Sequence, residues 1–381
     1  MGRGLVLRLV LLTAVPFALG FACAGCNRER EQGAKPDAQD VLLFRGDAAR
    51  TGLNPGPGII ASPSVLWRFQ TGGPISSSPV VAEGSLYIGS DDRHVYSLRT
   101  ATGKQNWRFQ TGGAVNSSPA VSKGKVYVGS DDGYVYALDA ANGNEIWRHE
   151  TGAPVRSSPA VLEDVLYVGS DDAFVYALNA TDGSELWRFQ TGAAVGSSPA
   201  LAGGVVYVGS DDSYIYALSV ENGEMSWRFK TGDSIWSTPA VADGNVYVGS
   251  LDGNIYALDS ATGTERWRFE VGSAVWSSPA AVGGSVYGAA LDGRVYAIDA
   301  ATGAELWHLD TGLLVASSPS IVNDRVYVGS SEGYVHLLDV ATGEEVGSLR
   351  TGGAVWDSPV VTGGAVYVGA WDGYVDAFGS R

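Results

Sequence analysis

The sequence predicts an all-β fold: an eight-bladed β-propeller of four-stranded antiparallel blades, closed by an N-terminal strand. Three observations carry that expectation. Trp67, Trp107, Trp147, Trp187, Trp227, Trp267 and Trp307 recur every 40 residues without an insertion. Pro79, Pro119, Pro159, Pro199, Pro239, Pro279, Pro319 and Pro359 keep the same spacing. Each unit also holds four short runs rich in Val, Tyr, Ile and Trp, bounded by Gly, Asp or Asn, and a fixed period near 40 with four strand signals is how propeller blades read in sequence.

The stretch Ser117–Glu150 serves for all units. Strand A is expected over Ser118–Val121, B over Lys125–Ser130, C over Tyr134–Leu138 and D over Glu145–Glu150. Asp131-Asp132-Gly133 is a hairpin signal, because Asp-Gly accepts the positive φ of a tight turn. Asp139 to Gly143 supplies the next turn, again with Gly at the strained position. One four-stranded sheet cannot bury both faces, so each blade must stack on its neighbours. The strand D tryptophans are the expected contact between blades. Burying one removes roughly 150–250 Å² from water, which contributes at most roughly 4–6 kcal/mol.

The strand D pattern is out of phase with the rest. Its first copy, Val65–Gln70, precedes any strand A, while the last unit, from Pro359 to Phe378, stops after strand C. Val65–Gln70 is therefore expected to become the outer strand of the eighth blade, stitching the two ends of the chain together.

Residues 1–25 read as a lipoprotein-type signal peptide. Arg3 and Arg8 form a basic start, Leu9–Ala22 is apolar but short of the about 20 residues a bilayer span needs, and Ala24-Gly25 precede Cys26. Cys26 is the expected lipidation site, with Cys23 as the competing cysteine. No cysteine follows, so the folded part has neither disulfide nor thiol chemistry. Residues 26–40 are polar and without apolar period, a flexible tether, and residues 41–381 form the propeller. The Arg45-Gly46-Asp47 run is read as a chance tripeptide. The formal charge is −16, and loss of Arg3 and Arg8 with the leader makes it −18. Such a surface repels nucleic acid and anionic lipid, so membrane contact is expected through the lipid anchor alone. The expected molecule is an exported monomer, facing the periplasm or cell exterior.

The run from Ala137 to Gly143 and on to Trp147 resembles the tryptophan-docking motif of the quinoprotein-type (PQQ-like) propeller repeats, and Ala297 to Trp307 carries it with Thr302 and Gly303 in place. The match extends over almost everything after residue 41. The resemblance implies one of two kinds of protein. One is the periplasmic dehydrogenases that bind pyrroloquinoline quinone (PQQ) and calcium. The other is noncatalytic scaffolds such as the BamB family, lipoproteins of the outer-membrane β-barrel assembly machinery, whose length and layout this chain shares. The dehydrogenases place a Glu, an Asn and an Asp around calcium, a catalytic Asp, and usually a vicinal disulfide over the quinone. Here the disulfide is absent, and every unit has the same length, leaving no insertions to build a pocket. His94, His149, His308 and His336 have no metal-ligand spacing. The expectation is no catalytic residue, no metal site and no resident cofactor. A PQQ-dependent oxidoreductase requiring PQQ and calcium is the alternative, and a carbohydrate- or polymer-binding module is a third reading.

Specificity in a near-perfect array resides where the pattern lapses. The residue before the Ser-Ser-Pro motif reads Ser76, Asn116, Arg156, Gly196, Trp236, Trp276, Ala316, Trp356. The first residue of the B–C turn reads Asp91, Asp131, Asp171, Asp211, Leu251, Leu291, Ser331, Trp371. Both positions lie in connections on the same end of a blade. Blades one to four are polar and acidic there; blades five, six and eight are apolar or aromatic. Aromatic anchors with a charged flank suit a partner-binding surface. The candidate contacts for a protein or extended peptide are Trp236, Trp276, Trp356, Trp371, Leu251, Leu291, Asn116 and Arg156. The competing reading is that the apolar members pack on one another and plug the funnel. The second turn residues, Asp92, Asp132, Asp172, Asp212, Asp252, Asp292 and Asp372, recur in every blade but the seventh and are expected to serve the turn.

Overall fold

A computed structural model describes residues 40–59 and 63–380. The leader, Cys26 and the tether up to residue 39 lie outside the described residues. Among those described there are strands and turns and no helix. Eight four-stranded sheets form, seven of them from consecutive strands. The inner strand of each touches the inner strands of both neighbours, blade eight meeting blade one, so the ring is closed.

Blade two shows the common plan: Ala120–Ser122, Lys125–Gly129, Tyr134–Asp139 and Glu145–Glu150, each antiparallel to the next. Strand A is shorter than the sequence predicts and starts two residues later. Ser117 and Ser118, ahead of it, spend their polar groups outside the ladder. The Ser117 hydroxyl accepts the Gly129 amide at 2.8 Å. The Ser118 hydroxyl accepts the amide of Ser78 in the preceding blade at 2.9 Å, and the Ser118 amide donates to Ser158 of the following blade. The same link joins blades three and four, five and six, and six and seven, and Ser358 donates to Ser78 across the closing junction. A girdle of hydroxyl–amide bonds thus spans six of the eight junctions, and hydroxyl–carbonyl bonds from Ser197 to Ser237 and from Ser320 to Pro359 join the other two.

The outer contacts repeat as regularly. The indole nitrogens of Trp67, Trp107, Trp147, Trp187, Trp227, Trp267 and Trp307 donate to the carbonyls of Thr100, Ala140, Ala180, Val220, Ser260, Ala300 and Val340 in the next blade. All are buried except Trp187, which is half-buried. Each ring lies against the positive-φ glycine of that same turn: a Cβ on Gly143 would come within 2.6 Å of Trp107. The turn aspartates are structural too. Asp132 accepts the amides of Tyr134 and Gly112 and the hydroxyl of Tyr136.

Blade eight takes its outer strand from the start of the chain. Ser64–Gln70 pairs antiparallel with Tyr374–Gly379. Where six blades have Tyr in strand C, this blade has Asp376, and Arg68 of the incoming strand bridges it and Asp372. Because blade eight lacks a C–D turn, there is no glycine for a tryptophan of blade seven to cover, and that position is Gly347.

Residues 41–57 are not a blade. They make one circuit inside the channel, in blade order. The amides of Val81, Val121, Leu201, Val241, Ala281 and Ile321 donate to the carbonyls of Val41, Leu42, Ala48, Ala49, Thr51 and Gly52, and Gly364 donates to Pro57. Blade three is reached by Arg50, whose guanidinium donates to the carbonyls of Ser158 and Pro159 as well as Pro199 and Phe44. Arg45 does the same for Pro279 and Pro319 at 2.7 Å. Both arginines are buried, and desolvation lowers their pKa to about 9, with Asp47 opposing the shift. Strands A carry a row of amides with no further strand to pair with; this strap satisfies one in each of six blades and a turn amide in the eighth. The Arg45-Gly46-Asp47 run lies within the strap.

Candidate functional site

The D–A and B–C connections share one end of the ring. In blade after blade the first turn residue bonds to the adjoining loop, as Asp131 does to Ala114, Leu251 to Ser234 and Trp371 to Ala354. The residues singled out by their departure from the repeat therefore do surround one mouth.

One arc of that mouth is acidic. Asp91, Asp131, Asp171 and Asp211 follow one another round it. Arg156 reaches across two of them, at 3.1 Å from Asp131 and 3.0 Å from Asp171, and Asn116 donates to Asp131 at 3.3 Å. Burial pushes the carboxyls of Asp91, Asp171 and Asp211 above the usual range. Neighbouring aspartates push the same way, Arg156 opposes at Asp171, and the Trp236 indole opposes at Asp211. One oxygen each of Asp91 and Asp211 is buried without a partner among the described residues.

The facing arc is aromatic and aliphatic. Trp236 and Trp276 lie with ring centroids 5.1 Å apart, and Trp356 and Trp371 meet edge to face at 6.1 Å. The packing is partial: Trp236 keeps 46%, Trp276 39% and Trp371 53% of its surface exposed, while Trp356, Leu251 and Leu291 are half-buried. Between the two tryptophan pairs, blade seven contributes Leu313 and Leu314, both exposed. The sequence reading missed these two. Their columns hold Gly, Ala, Ser, Asp or Pro in the other blades, and that contrast is the signal that could have found them. Most of the other large exposed apolar side chains, such as Ile146, Leu186 and Leu306, lie on the outer strands, away from this mouth.

At the centre the mouth narrows to a funnel of about 180 Å³. Its wall includes Trp236, Trp276 and Trp356 and the girdle hydroxyls, and Phe44 of the strap lies in it. A second departure was overlooked here. The first serine of the Ser-Ser-Pro motif is Asp357 in blade eight, also in the wall and only 3% exposed. Burial raises its pKa well above the usual carboxyl value.

The funnel is below the roughly 300–1,000 Å³ of ordinary small-molecule sites. Among the described residues no three His, Cys, Asp or Glu side chains gather as a metal would require.

Comparison with known proteins accords with this architecture. The profile of the family described as "Beta-alanine-activating enzyme, beta-propeller" matches residues 165–379. That described as "Outer membrane protein assembly factor BamB" matches residues 60–159. No curated protein sequence matches the chain. Among solved structures, BamB from Moraxella catarrhalis is 21% identical with a TM-score of 0.72, over 84% of this chain and 100% of that one. A europium-containing methanol dehydrogenase is 14% identical with a TM-score of 0.80, over 90% and 98%. The computationally designed protein Ika8 is 17% identical with a TM-score of 0.74, over 90% and 100%. BamB, a methanol dehydrogenase and a designed protein thus share the fold, and these likenesses establish the fold alone.

Proposed function

We propose, for a chain that belongs to the β-propeller family described for the beta-alanine-activating enzyme and that resembles BamB, a noncatalytic scaffold that docks a protein or extended peptide on its D–A/B–C mouth. The carrying observation is the arc of Trp236, Trp276, Leu313, Leu314 and Trp371, exposed together on one face and opposed by an acidic arc. Exposed indoles beside a charged flank supply anchoring and orientation to a partner. A bacterial membrane holds the scaffold from its exported, periplasmic side through lipid on Cys26, and the ring works as a monomer. Assembly of outer-membrane proteins is the most concrete form of this role.

Crosslinking from the native envelope tests it. The wild-type chain is expected to capture a protein that the combined Trp236→Ala, Trp276→Ala, Trp356→Ala and Trp371→Ala variant does not. Equal capture by both overturns the docking face. A glycan array that reads binding lost in the same variant assigns the face to a polymer instead. Saturable quenching of tryptophan fluorescence by PQQ with calcium returns the chain to the oxidoreductases.

A further inference from the structure

We infer that the central funnel receives the side-chain ammonium of a lysine presented by the docked partner. This rests on the docking reading above and names what the partner inserts.

The starting point is Asp357. In the other seven blades its place is taken by Ser77, Ser117, Ser157, Ser197, Ser237, Ser277 and Ser317, and every one of these hydroxyls accepts the amide of the strand B residue twelve positions on. Asp357 keeps that bond: its Oδ2 accepts the Gly369 amide at 2.8 Å. Its Oδ1 is an addition the fold does not use. That oxygen is buried and has no partner among the described residues. Of the eight residues in this column, only Asp357 forms part of the funnel wall. A buried carboxyl with an idle oxygen is costly unless something arrives to pair with it.

The surroundings specify what arrives. Trp236, Trp276 and Trp356 line the same small space, and aromatic faces attract an organic cation. Ser78, Ser118, Ser158, Ser198, Ser278 and Ser318 add hydroxyl oxygens that can accept further N–H bonds. The arc of Asp91, Asp131, Asp171 and Asp211, on a chain of net charge −16, draws cations toward the opening. An anion would be repelled by that acidic arc, and an apolar guest would leave Asp357 unpaired. The volume of about 180 Å³ admits a slim aliphatic stem and a compact three-donor head, which is lysine rather than a flat ring system.

Tryptophan fluorescence and calorimetry on the full chain test this with Nα-acetyl-lysine amide, its uncharged isostere Nα-acetyl-norleucine amide, and glycine amide, which carries an α-ammonium without the stem. The lysine probe is expected to bind saturably and the norleucine probe not. Asp357→Ser, which installs the side chain the other blades carry, and Asp357→Asn are each expected to weaken the lysine probe roughly tenfold or more. Binding of the norleucine probe as tight as the lysine probe, undiminished binding by both variants, or no saturable binding of the lysine probe overturns the proposal. Glycine amide binding as well as the lysine probe reassigns the funnel to a chain's amino terminus and overturns it equally. A partner whose capture depends on the rim tryptophans but not on Asp357 leaves the docking face standing and removes the lysine.

Discussion

Arg68, on the first strand of the ring, and Asp376, on the last, meet at 2.5 Å. They are 308 residues apart in the chain. Asp376 is almost wholly buried, and burial raises its pKa while Arg68 holds it down. The pair replaces the Tyr–Asp hydrogen bond that fills this place in six other blades, such as Tyr136 to Asp132. An uncharged phenol serves within a blade; where two chain ends must find each other, an opposite charge on each gives the pairing direction.

Arg68→Ala is therefore expected to cost about 2 kcal/mol or more in urea denaturation, because Asp376 and its charge stay behind. The figure sits below that of a fully buried pair, since Arg68 is partly exposed. Arg108→Ala, at the equivalent position beside Tyr96, is expected to cost less than about 1 kcal/mol.

The strap makes a sharper prediction. Arg50 donates to carbonyls of three separate segments, a fork that an ammonium cannot reproduce. Arg50→Lys is expected to destabilise by about 3 kcal/mol or more. Hydrogen exchange should show the amides of Leu201, Val241, Ala281 and Ile321 losing protection together, while strand C amides keep theirs.

Asp357 ties stability to pH. Its folded pKa is raised, chiefly by burial, and no charged side chain contributes to the shift. The folded chain therefore holds this proton more tightly than the unfolded chain, whose carboxyl titrates near about 3.9. Stability falls as pH rises from there to the folded pKa, then levels off. Asp357→Ser removes the loss. Its thermal midpoint should match wild type near pH 3 and exceed it increasingly toward neutral pH. A constant offset across that range rejects the assignment.

Two glycine turns separate strain from contact. Gly124 and Gly143 both have φ near +70°, at 72° and 75°. A Cβ on Gly124 meets nothing, whereas one on Gly143 strikes the Trp107 ring. Gly124→Ala is expected to cost about 1 kcal/mol and Gly143→Ala about 2–4 kcal/mol. Equal losses in thermal denaturation refute the contact.

The ring was legible because its physics repeats. A tryptophan, a glycine to lie on and a proline opening each blade must recur wherever one sheet covers the next, so their spacing announces the count. The out-of-phase Val65–Gln70 likewise announced the seam. Val41–Pro57 was not legible as a strap: its partners are backbone amides of other blades, which leave no pattern in its own letters. Only Arg45 and Arg50 are specific there, and a buried arginine looks like any other in sequence. The aromatic half of the mouth could be read from two columns; Leu313, Leu314 and Asp357 stood in neighbouring columns. Asp357 is a single-letter change in a motif whose regularity draws the eye past it.

A toroid that threads its own chain through its bore has two unlike ends. Phe44 stands in the wall of the funnel, and both strap arginines are buried. The exposed tryptophans stand at one rim alone among the described residues, so a guest that reads indoles also reads which way the ring faces.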